Sequence, residues 1–244
     1  MIPNSTLTLT RLHQYMGCLA DPAYAQTLIR FFRTGVGDYG EGDRFFGITI
    51  PHLRAIARRY DCLTFDDMHD LLASPYHEDR MVALIMLVDK SKRGNAIGCL
   101  TVYRFYMDHI DRINNWDLVD VSAPTIVGRA LMTRSRRPLY HLARSPSLWK
   151  RRIAIVATYA FIHEHDYGDT LAIARVLLHD EHHLIHKAVG WMLREVGKSS
   201  PQTLRSFLDE HAAFMPRTML RYAIERMSES ERRRYRNKKS RCKR

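Results

Sequence analysis

Apolar residues along the chain recur with the spacing of helix faces. In the segment 77–90, HEDRMVALIMLVDK, four apolar residues repeat at i, i+3, i+4 and i+7: Met81, Leu84, Ile85 and Val88. A similar pattern runs through the segment 182–197, HHLIHKAVGWMLREVG, and is expected to stop at Gly197, before Pro201. No segment alternates convincingly between apolar and polar residues as a half-buried strand would. The pattern therefore predicts an all-α fold, with serine–proline pairs marking helix starts at 74–75, 145–146 and 200–201.

A small residue also recurs inside the apolar helical segments. Six alanines, 26 to 40 residues apart, occupy such places: Ala57, Ala83, Ala123, Ala154, Ala188 and Ala223. This spacing is typical of helix pairs that bury their apolar faces only by stacking on neighbours, as in HEAT and armadillo arrays. We therefore expect a superhelical solenoid of HEAT/armadillo-like repeats, whose concave face would suit a rod such as DNA.

The charge of the chain is concentrated at its end. The 244 residues carry a formal net charge of +12, and the segment 231–244 holds nine basic residues against one acidic residue. A run so dense in like charge is predicted to be disordered. We expect a single helical-repeat domain over 1–230, followed by a basic tail that binds phosphates without sequence preference. The alternative for the tail is a solvated end that keeps the protein soluble.

The sequence predicts a cytoplasmic protein without a membrane-spanning segment. The longest nearly apolar run, 153–162, is about half the ~20 residues that a membrane-spanning helix needs. The N-terminal segment lacks the basic and apolar regions of a secretory signal. The four cysteines are scattered without a CxxC pair, and Cys18, Cys62 and Cys99 are predicted to be small core residues.

Each tryptophan lies one helical turn from an ionisable residue: Trp116 from Asp120, Trp149 from Arg152, and Trp191 from Lys187. Any one of these pairs is more often a buried indole with a charged neighbour at the surface. Together they could converge on one aromatic-walled surface that carries a carboxylate and basic groups.

Four collinear segments resemble the HEAT-like-repeat DNA glycosylases of the AlkD-like DNA alkylation repair family: FFGITIPHLRAIARRY at 45–60, NNWDLVDVSAPTIVG at 114–128, SLWKRRIAIV at 147–156 and KAVGWMLREVGK at 187–198. The resemblance covers roughly residues 25–227. It implies an enzyme that excises cationic alkylated purines, such as 3-methyladenine and 7-methylguanine, from duplex DNA. It also implies excision without flipping the base into a deep pocket. We expect this enzyme to act as a monomer without a cofactor.

The resemblance also assigns site residues. By position, Asp120 matches the catalytic aspartate of the family, Trp116 and Trp191 match its active-site tryptophans, and Arg152 matches its active-site arginine. We further expect three basic residues to bind DNA: Lys187, Arg151 and Arg194. Asp117 is the alternative base, although we interpret it as a hydrogen-bond acceptor in the helix turn. No polar DNA contact can be matched at Thr49 and Ile50.

The chemistry of the reaction agrees with a single carboxylate. Hydrolysis of an N-glycosidic bond passes through an oxocarbenium-like sugar and ordinarily uses two carboxyl groups, one of which protonates the leaving group. An alkylated purine is already cationic and leaves as a neutral base, so the acid is dispensable.

Two other classes of function remain open for this sequence. One is a non-catalytic module that binds nucleic acid, and the other is a helical scaffold for other proteins.

Four histidines raise the question of a metal site. His179, His182, His183 and His186 follow the spacing i, i+3, i+4 and i+7, so one helix face could present two or three imidazoles. The segment HHLIH has the spacing of a zincin helix, but His183 stands where the general-base glutamate belongs. No matching cluster of cysteines or carboxylates appears elsewhere, so we predict chemistry without a metal.

Overall fold

The computed structural model describes residues 7–238, and every regular element in this range is helical. The predicted all-α class is confirmed. Extended backbone pairs there only once, in an isolated bridge between Arg44 and Tyr76. The chain divides into two compact units between Ser122 and Ala123.

The first unit contains the following helices: α1 (Leu9–Cys18), α2 (Pro22–Phe31), α3 (Ile50–Arg59), α4 (Phe65–Ala73), α5 (His77–Arg93) and α6 (Ala96–Asp108). The helix α7 (Trp116–Ala123) ends at the division. The second unit contains α8 (Arg129–Leu131), α9 (Arg137–Ala143), α10 (Leu148–Ala157), α11 (Tyr159–His163), α12 (Gly168–Val176), α13 (His183–Ser199), α14 (Pro201–His211), α15 (Arg217–Ala223) and α16 (Glu229–Arg236).

The single domain expected over 1–230 stays a prediction. The division into two units falls inside a helical stretch, because α7 continues through a π-helical segment, Pro124–Gly128, directly into α8. Domain boundaries usually fall in flexible linkers rich in proline, glycine or polar residues, and no such linker marks this division.

The helix α5 forms the centre of the first unit. The four apolar residues that predicted it are all at most 6% exposed, and the residues between them are buried as well. It packs against α3, α4 and α6. A helix that is buried on all sides is expected when neighbours cover every face. The apolar stripe in the sequence therefore located the helix correctly but underestimated how much of it is buried.

The helices α10 and α13 form the centre of the second unit. They pack against each other, and α13 also packs against α14 and α15. Gly190 explains how closely α15 approaches, because a Cβ atom at this position would lie 2.5 Å from the carbonyl oxygen of Met219. The glycine of the segment KAVGWMLREVGK thus serves helix packing. α13 ends at Ser199, two residues beyond the predicted stop.

The alanines that suggested a repeat lie in six different helices. All six are at most 2% exposed: Ala57, Ala83, Ala123, Ala154, Ala188 and Ala223. In both units, helices that are near in sequence pack against each other. The all-helical architecture is consistent with a helical-repeat fold.

The prediction of a disordered tail from residue 231 is wrong for the residues that the structure describes. α16 occupies Glu229–Arg236, and it begins with a capping box in which Ser228 and Glu231 bond each other's backbone N–H groups. Tyr235 is 1% exposed. Arg205 binds Glu231 at 2.8 Å, and Arg234 binds Asp209 at 2.8 Å. The acidic partners neutralise charges that the composition alone counted as repulsive. Residues 239–244 of the predicted tail lie outside the described residues.

The cysteines also depart from prediction. Cys99 is buried as expected, but Cys18 and Cys62 are exposed and free. Cys18 is the last residue of α1 and Cys62 lies in the turn after α3, so neither faces a core. Within 7–238, no helix combines the length and the apolar character that crossing a bilayer requires.

Candidate active site

The first turn of α7 is built around Asn115, which precedes the helix and is fully buried. Its Oδ1 atom accepts a hydrogen bond from the backbone N–H of Trp116 at 2.8 Å. Its Nδ2 atom donates to Oδ2 of Asp43 at 3.2 Å. Asp117 bonds the same turn, since its Oδ1 accepts from the N–H of Leu118 at 2.8 Å. The interpretation of Asp117 as a hydrogen-bond acceptor in the helix turn is therefore confirmed.

Trp116 is half-buried among aromatic rings. It stacks on Phe32 with ring centres 5.5 Å apart, and Phe31 meets it edge-on at 5.8 Å. Burial raises the pKa of the nearby Tyr39, an effect that Trp116 partly offsets. The indole is thus held by ring packing.

A cavity of about 430 Å³ opens beside these rings in the first unit. Its wall is mostly aromatic and aliphatic, and Phe31, Phe45 and Trp116 are among its residues. His77 and Asp117 bring ionisable groups to it. The cavity therefore combines flat apolar surfaces with a carboxylate, an arrangement that suits planar or cationic groups.

Asp120 lies one turn beyond the start of α7. It follows Trp116 at i+4 and Asp117 at i+3, so the structure brings all three residues onto two turns of one helix. Asp120 is half-buried. Its charge reaches the neighbouring helix: burial raises the pKa of Tyr106, and the charge of Asp120 raises it further.

A buried charge network that the sequence did not reveal supports this turn. His77 lies between two carboxylates, with Nδ1 3.0 Å from Oδ2 of Asp43 and Nε2 2.8 Å from Oδ2 of Asp117. Burial alone would lower the pKa of His77, but Asp117 and Asp43 outweigh burial and raise the pKa to about 9. Arg80 completes the set with a 2.5 Å contact to Oδ1 of Asp43. Burial favours neutral Asp43, yet His77 and Arg80 hold its pKa below the ordinary value.

No local pattern could have located this network, because Asp43 and Asp117 lie 34 and 40 residues from His77. The one available signal was the cluster HEDR at 77–80, four polar residues directly before an apolar helix run. All four are buried.

The segment FFGI at 45–48 is shaped by Glu78, which is 1% exposed. Its carboxylate accepts hydrogen bonds from three successive backbone N–H groups, those of Phe46 at 3.0 Å, Gly47 at 2.8 Å and Ile48 at 3.2 Å. Gly47 has a φ of +83°, and a Cβ atom there would lie 2.1 Å from the carbonyl oxygen of Asp21. Only glycine fits this place. The segment is therefore a structural motif.

The two residues after this loop are exposed. Thr49 hydrogen-bonds Nδ1 of His52 at 3.1 Å, and Ile50 is 42% exposed. Neither position gains a DNA-binding role from these contacts.

In the second unit, Arg152 and Trp191 are the residues that the resemblance singled out. Arg152, on α10, is only 5% exposed, and its Nη1 donates to the carbonyl oxygen of Leu184 at 2.7 Å. Trp191, on α13, is half-buried, and its Nε1–H donates to Glu195 at 3.1 Å. Tyr159 lies 5.8 Å from the indole between ring centres. Arg152 therefore anchors the first turn of α13, while Trp191 keeps part of its ring accessible.

The three predicted DNA-binding residues differ in how they are paired. Arg151 binds Asp180 at 2.6 Å and donates to two backbone carbonyl groups. Arg194 contacts Glu225, and its Nε lies 3.6 Å from Glu195. Lys187 is half-buried and forms no ion pair with residues 7–238. Lys187 is thus the cation of the three that is best available to a phosphate.

The four histidines do not lie on one face of a helix, as the metal-site interpretation required. α13 begins at His183, so His179 and His182 precede the helix and cannot share its face. His182 caps the helix by accepting from the N–H of Leu184, and Nε2 of His186 lies 2.5 Å from the carbonyl oxygen of Asp180. In the range 7–238, no group of three or more histidine, cysteine, aspartate or glutamate side chains is arranged to hold a metal ion.

Comparison with solved structures identifies the class of fold. A solved structure described as a predicted DNA alkylation repair enzyme from Enterococcus faecalis matches with a TM-score of 0.66. The match covers 86% of this chain and 97% of that chain at 15% identity, which establishes a shared helical fold. No curated protein matches the chain.

The family follows from the sequence. The model of the family described as DNA alkylation repair enzyme matches residues 12–227, and the chain belongs to this family. The resemblance predicted from the four segments is confirmed, and the match begins earlier than the expected residue 25. Membership supports a role in DNA repair, with DNA as the substrate. α16 lies beyond the matched residues.

Proposed function

We propose that this protein is a DNA glycosylase that hydrolyses the N-glycosidic bond of cationic alkylated purines in duplex DNA. The observation that carries the proposal is the first two turns of α7, where Asp120 follows Trp116 by one turn. An aromatic ring attracts a cationic base, and a carboxylate stabilises the positive charge of the transition state. The lesions are of the 3-methyladenine and 7-methylguanine type, as the resemblance implies.

Asp120 supplies the charge that stabilises the transition state. As the bond breaks, positive charge moves from the base to the sugar, and a nearby carboxylate stabilises the oxocarbenium character. The same carboxylate orients a water molecule toward the sugar carbon and accepts its proton. The purine departs as a neutral base, so no acid is needed to protonate it.

The tryptophans bind the lesion through their π faces. Trp116 and Trp191 attract a cationic base or the polarised sugar, an interaction of about 0.5–2 kcal/mol each. The half-buried state of both rings supports this role, because each ring is held by its neighbours and still reaches solvent. In this proposal the lesion is excised without entering a deep pocket.

Basic residues of the second unit bind the phosphates and carry no sequence information. Lys187 is the first candidate because no acidic residue in the described range neutralises it. Arg152 is the active-site arginine that the resemblance implies, and we assign it to the phosphate beside the lesion. Its hydrogen bond to the carbonyl oxygen of Leu184 orients its guanidinium group. Arg151 and Arg194 add positive potential, which their acidic partners reduce.

The decisive experiment is incubation of the protein with duplex DNA that contains one 7-methylguanine, followed by chromatographic detection of the free base. We expect release of 7-methylguanine and an abasic site in equal amounts. Duplex DNA with an unmodified guanine at the same place is the control, since its base is neutral and a poor leaving group. Tight binding of both duplexes without release of any base would instead identify a non-catalytic DNA-binding module.

A further inference from the structure

His77 has no part in the chemistry proposed above, yet its side chain is bonded directly to the first turn of α7. Its side chain is 4% exposed, and both ring nitrogens lie within 3.0 Å of a carboxylate oxygen. Carboxylates only accept, so both nitrogens must donate, and the ring is an imidazolium. With Arg80 as the second cation, two positive charges balance the carboxylates of Asp43 and Asp117.

The network reaches the start of α7 by two polar routes. The first is direct, from Nε2 of His77 to the carboxylate of Asp117, which also accepts from the N–H of Leu118. The second passes through Asp43, whose Oδ2 accepts from both His77 and Asn115, and Asn115 in turn accepts from the N–H of Trp116. The first turn of the helix is therefore bonded to one imidazolium through two carboxylates.

A third route is aromatic. The His77 ring lies 5.0 Å from the Phe45 ring and 4.8 Å from the Phe32 ring, measured between centres. Phe32 stacks on Trp116. A shift of the imidazole would therefore be transmitted to the indole through the ring between them.

We propose that His77 is a positioning residue, which fixes the first turn of α7 and thereby sets the orientation of Trp116 and Asp120. Asp120 follows Asp117 by three residues, so any rotation or displacement of the first turn moves its carboxylate as well. The inference rests on the proposed function, because it gives Asp120 and Trp116 their roles.

The test compares His77→Gln with His69→Gln. Glutamine at 77 keeps a hydrogen-bond donor and loses the positive charge. His69 is an exposed histidine of the same unit, and its Nδ1 lies 2.8 Å from Nε2 of His109, away from the network. Each full-length variant is examined for helical content, affinity for undamaged duplex DNA and single-turnover release of 7-methylguanine. In parallel, the three tryptophans are labelled with 5-fluorotryptophan, and the fluorine resonance of Trp116 is assigned from its loss in Trp116→Phe.

We expect His77→Gln to keep its helical content and its DNA affinity while the single-turnover rate falls roughly 10- to 100-fold, the size of a misplaced catalytic group. The Trp116 resonance should shift, while those of Trp149 and Trp191 stay in place. His69→Gln should match the unaltered protein in every measurement. A folded His77→Gln protein with an unmoved Trp116 resonance and an unchanged rate would overturn the inference.

Asp117→Asn keeps the inference testable if His77→Gln does not fold, because it leaves the Asp43 pairing and the Asn115 contacts in place. Here too we expect a shifted Trp116 resonance and a reduced rate, and the absence of both would overturn the proposal.

The two proposals fail differently. If the unaltered protein releases no base, the proposed glycosylase function is wrong. The proposal that His77 positions catalytic residues is then wrong as well. If the unaltered protein is active and Asp120→Asn is not, but both network variants behave normally, only the role of His77 falls.

Discussion

A charge network in the first unit and an ion pair in the second hold their charged residues in different ways. In the first unit, Asp43, His77 and Arg80 are almost fully buried, and every charge faces an opposite charge. In the second unit, Arg194 lies 20% exposed against Glu225, whose side chain is 48% exposed. The first arrangement excludes water from its ion pairs and the second does not.

This difference decides what the pairs can do. An exposed pair contributes about 0–1 kcal/mol and rearranges easily, so its basic member can exchange an internal carboxylate for a phosphate. A buried pair cannot rearrange without leaving a charge unpaired in a medium of low dielectric constant. The buried network of the first unit is therefore suited to hold groups in place, and the exposed Arg194–Glu225 pair of the second is suited to adapt to a ligand.

The largest expected effect is on catalysis in the first unit. Asp120→Asn should keep the fold and lower the single-turnover release of 7-methylguanine by roughly 10²–10³-fold, because the amide preserves shape and removes the charge. Asp70→Asn, an exposed aspartate of the same unit, is the control. An equal loss in Asp117→Asn would move the carboxylate role to that residue.

Removing one acidic residue in each unit tests whether the buried network stabilises the fold more than the exposed ion pair. Asp43→Ala leaves His77 and Arg80 without a shared carboxylate and should reduce the free energy of unfolding by about 3–5 kcal/mol. Glu225→Ala should reduce it by less than about 1 kcal/mol. Urea unfolding measures both. Equal losses would show that burial does not separate the two kinds of pair.

The pH dependence of stability should carry the signature of His77. Its pKa is raised from 6.5 to about 9, so the folded state binds the proton more tightly than the unfolded state. The resulting stability is fully present below pH 6.5 and is lost as the pH rises through about 9. The shifted pKa of His77 contributes about 3 kcal/mol to the free energy of unfolding below pH 6.5.

Unfolding free energies measured from about pH 6 to about pH 10 should show this alkaline loss in the unaltered protein and much less of it in His77→Gln. Asp43 acts at the other end of the scale: its lowered pKa stabilises the fold above pH 3.8, and this contribution is lost as the pH falls through the folded-state pKa. An identical alkaline loss in both proteins would assign it to another group.

The smallest expected effect is on DNA binding by the second unit. Lys187→Ala should weaken affinity for undamaged duplex DNA and reduce the slope of log K against log salt by about 0.9, the value for one phosphate contact. Arg194→Ala should change the slope less, because Glu225 already neutralises this cation. A larger change for Arg194→Ala would show that DNA displaces Glu225.

The sequence predicted what periodicity and local spacing encode. The helices α5 and α13 follow from apolar residues one turn apart, and the placement of Trp116 and Asp120 on one helix follows from their spacing of four. The buried network was out of reach, because its partners meet across 34 to 72 residues of chain, as in the pairs His77–Asp43 and Asn115–Asp43.

The end of the chain was misjudged for a different reason. Its composition suggested self-repulsion, but Glu231 caps α16 and binds Arg205, and Tyr235 packs into the unit. Net charge takes no account of which opposite charges the fold brings near. The same limit applies to Arg151 and Arg194, whose acidic partners lie 29 and 31 residues away.

The loop held by Glu78 has a consequence for saturation mutagenesis scored by survival of alkylation damage. Replacement of Gly47 meets both a positive φ and a backbone atom 2.1 Å away. Replacement of Glu78 leaves three backbone amide groups without their acceptor, two of them buried. Both positions should therefore rank with Asp120 as intolerant, although neither has a role in the proposed chemistry. Measuring the amount of folded protein for each substitution separates the two groups: Asp120 variants accumulate normally, and Gly47 and Glu78 variants do not.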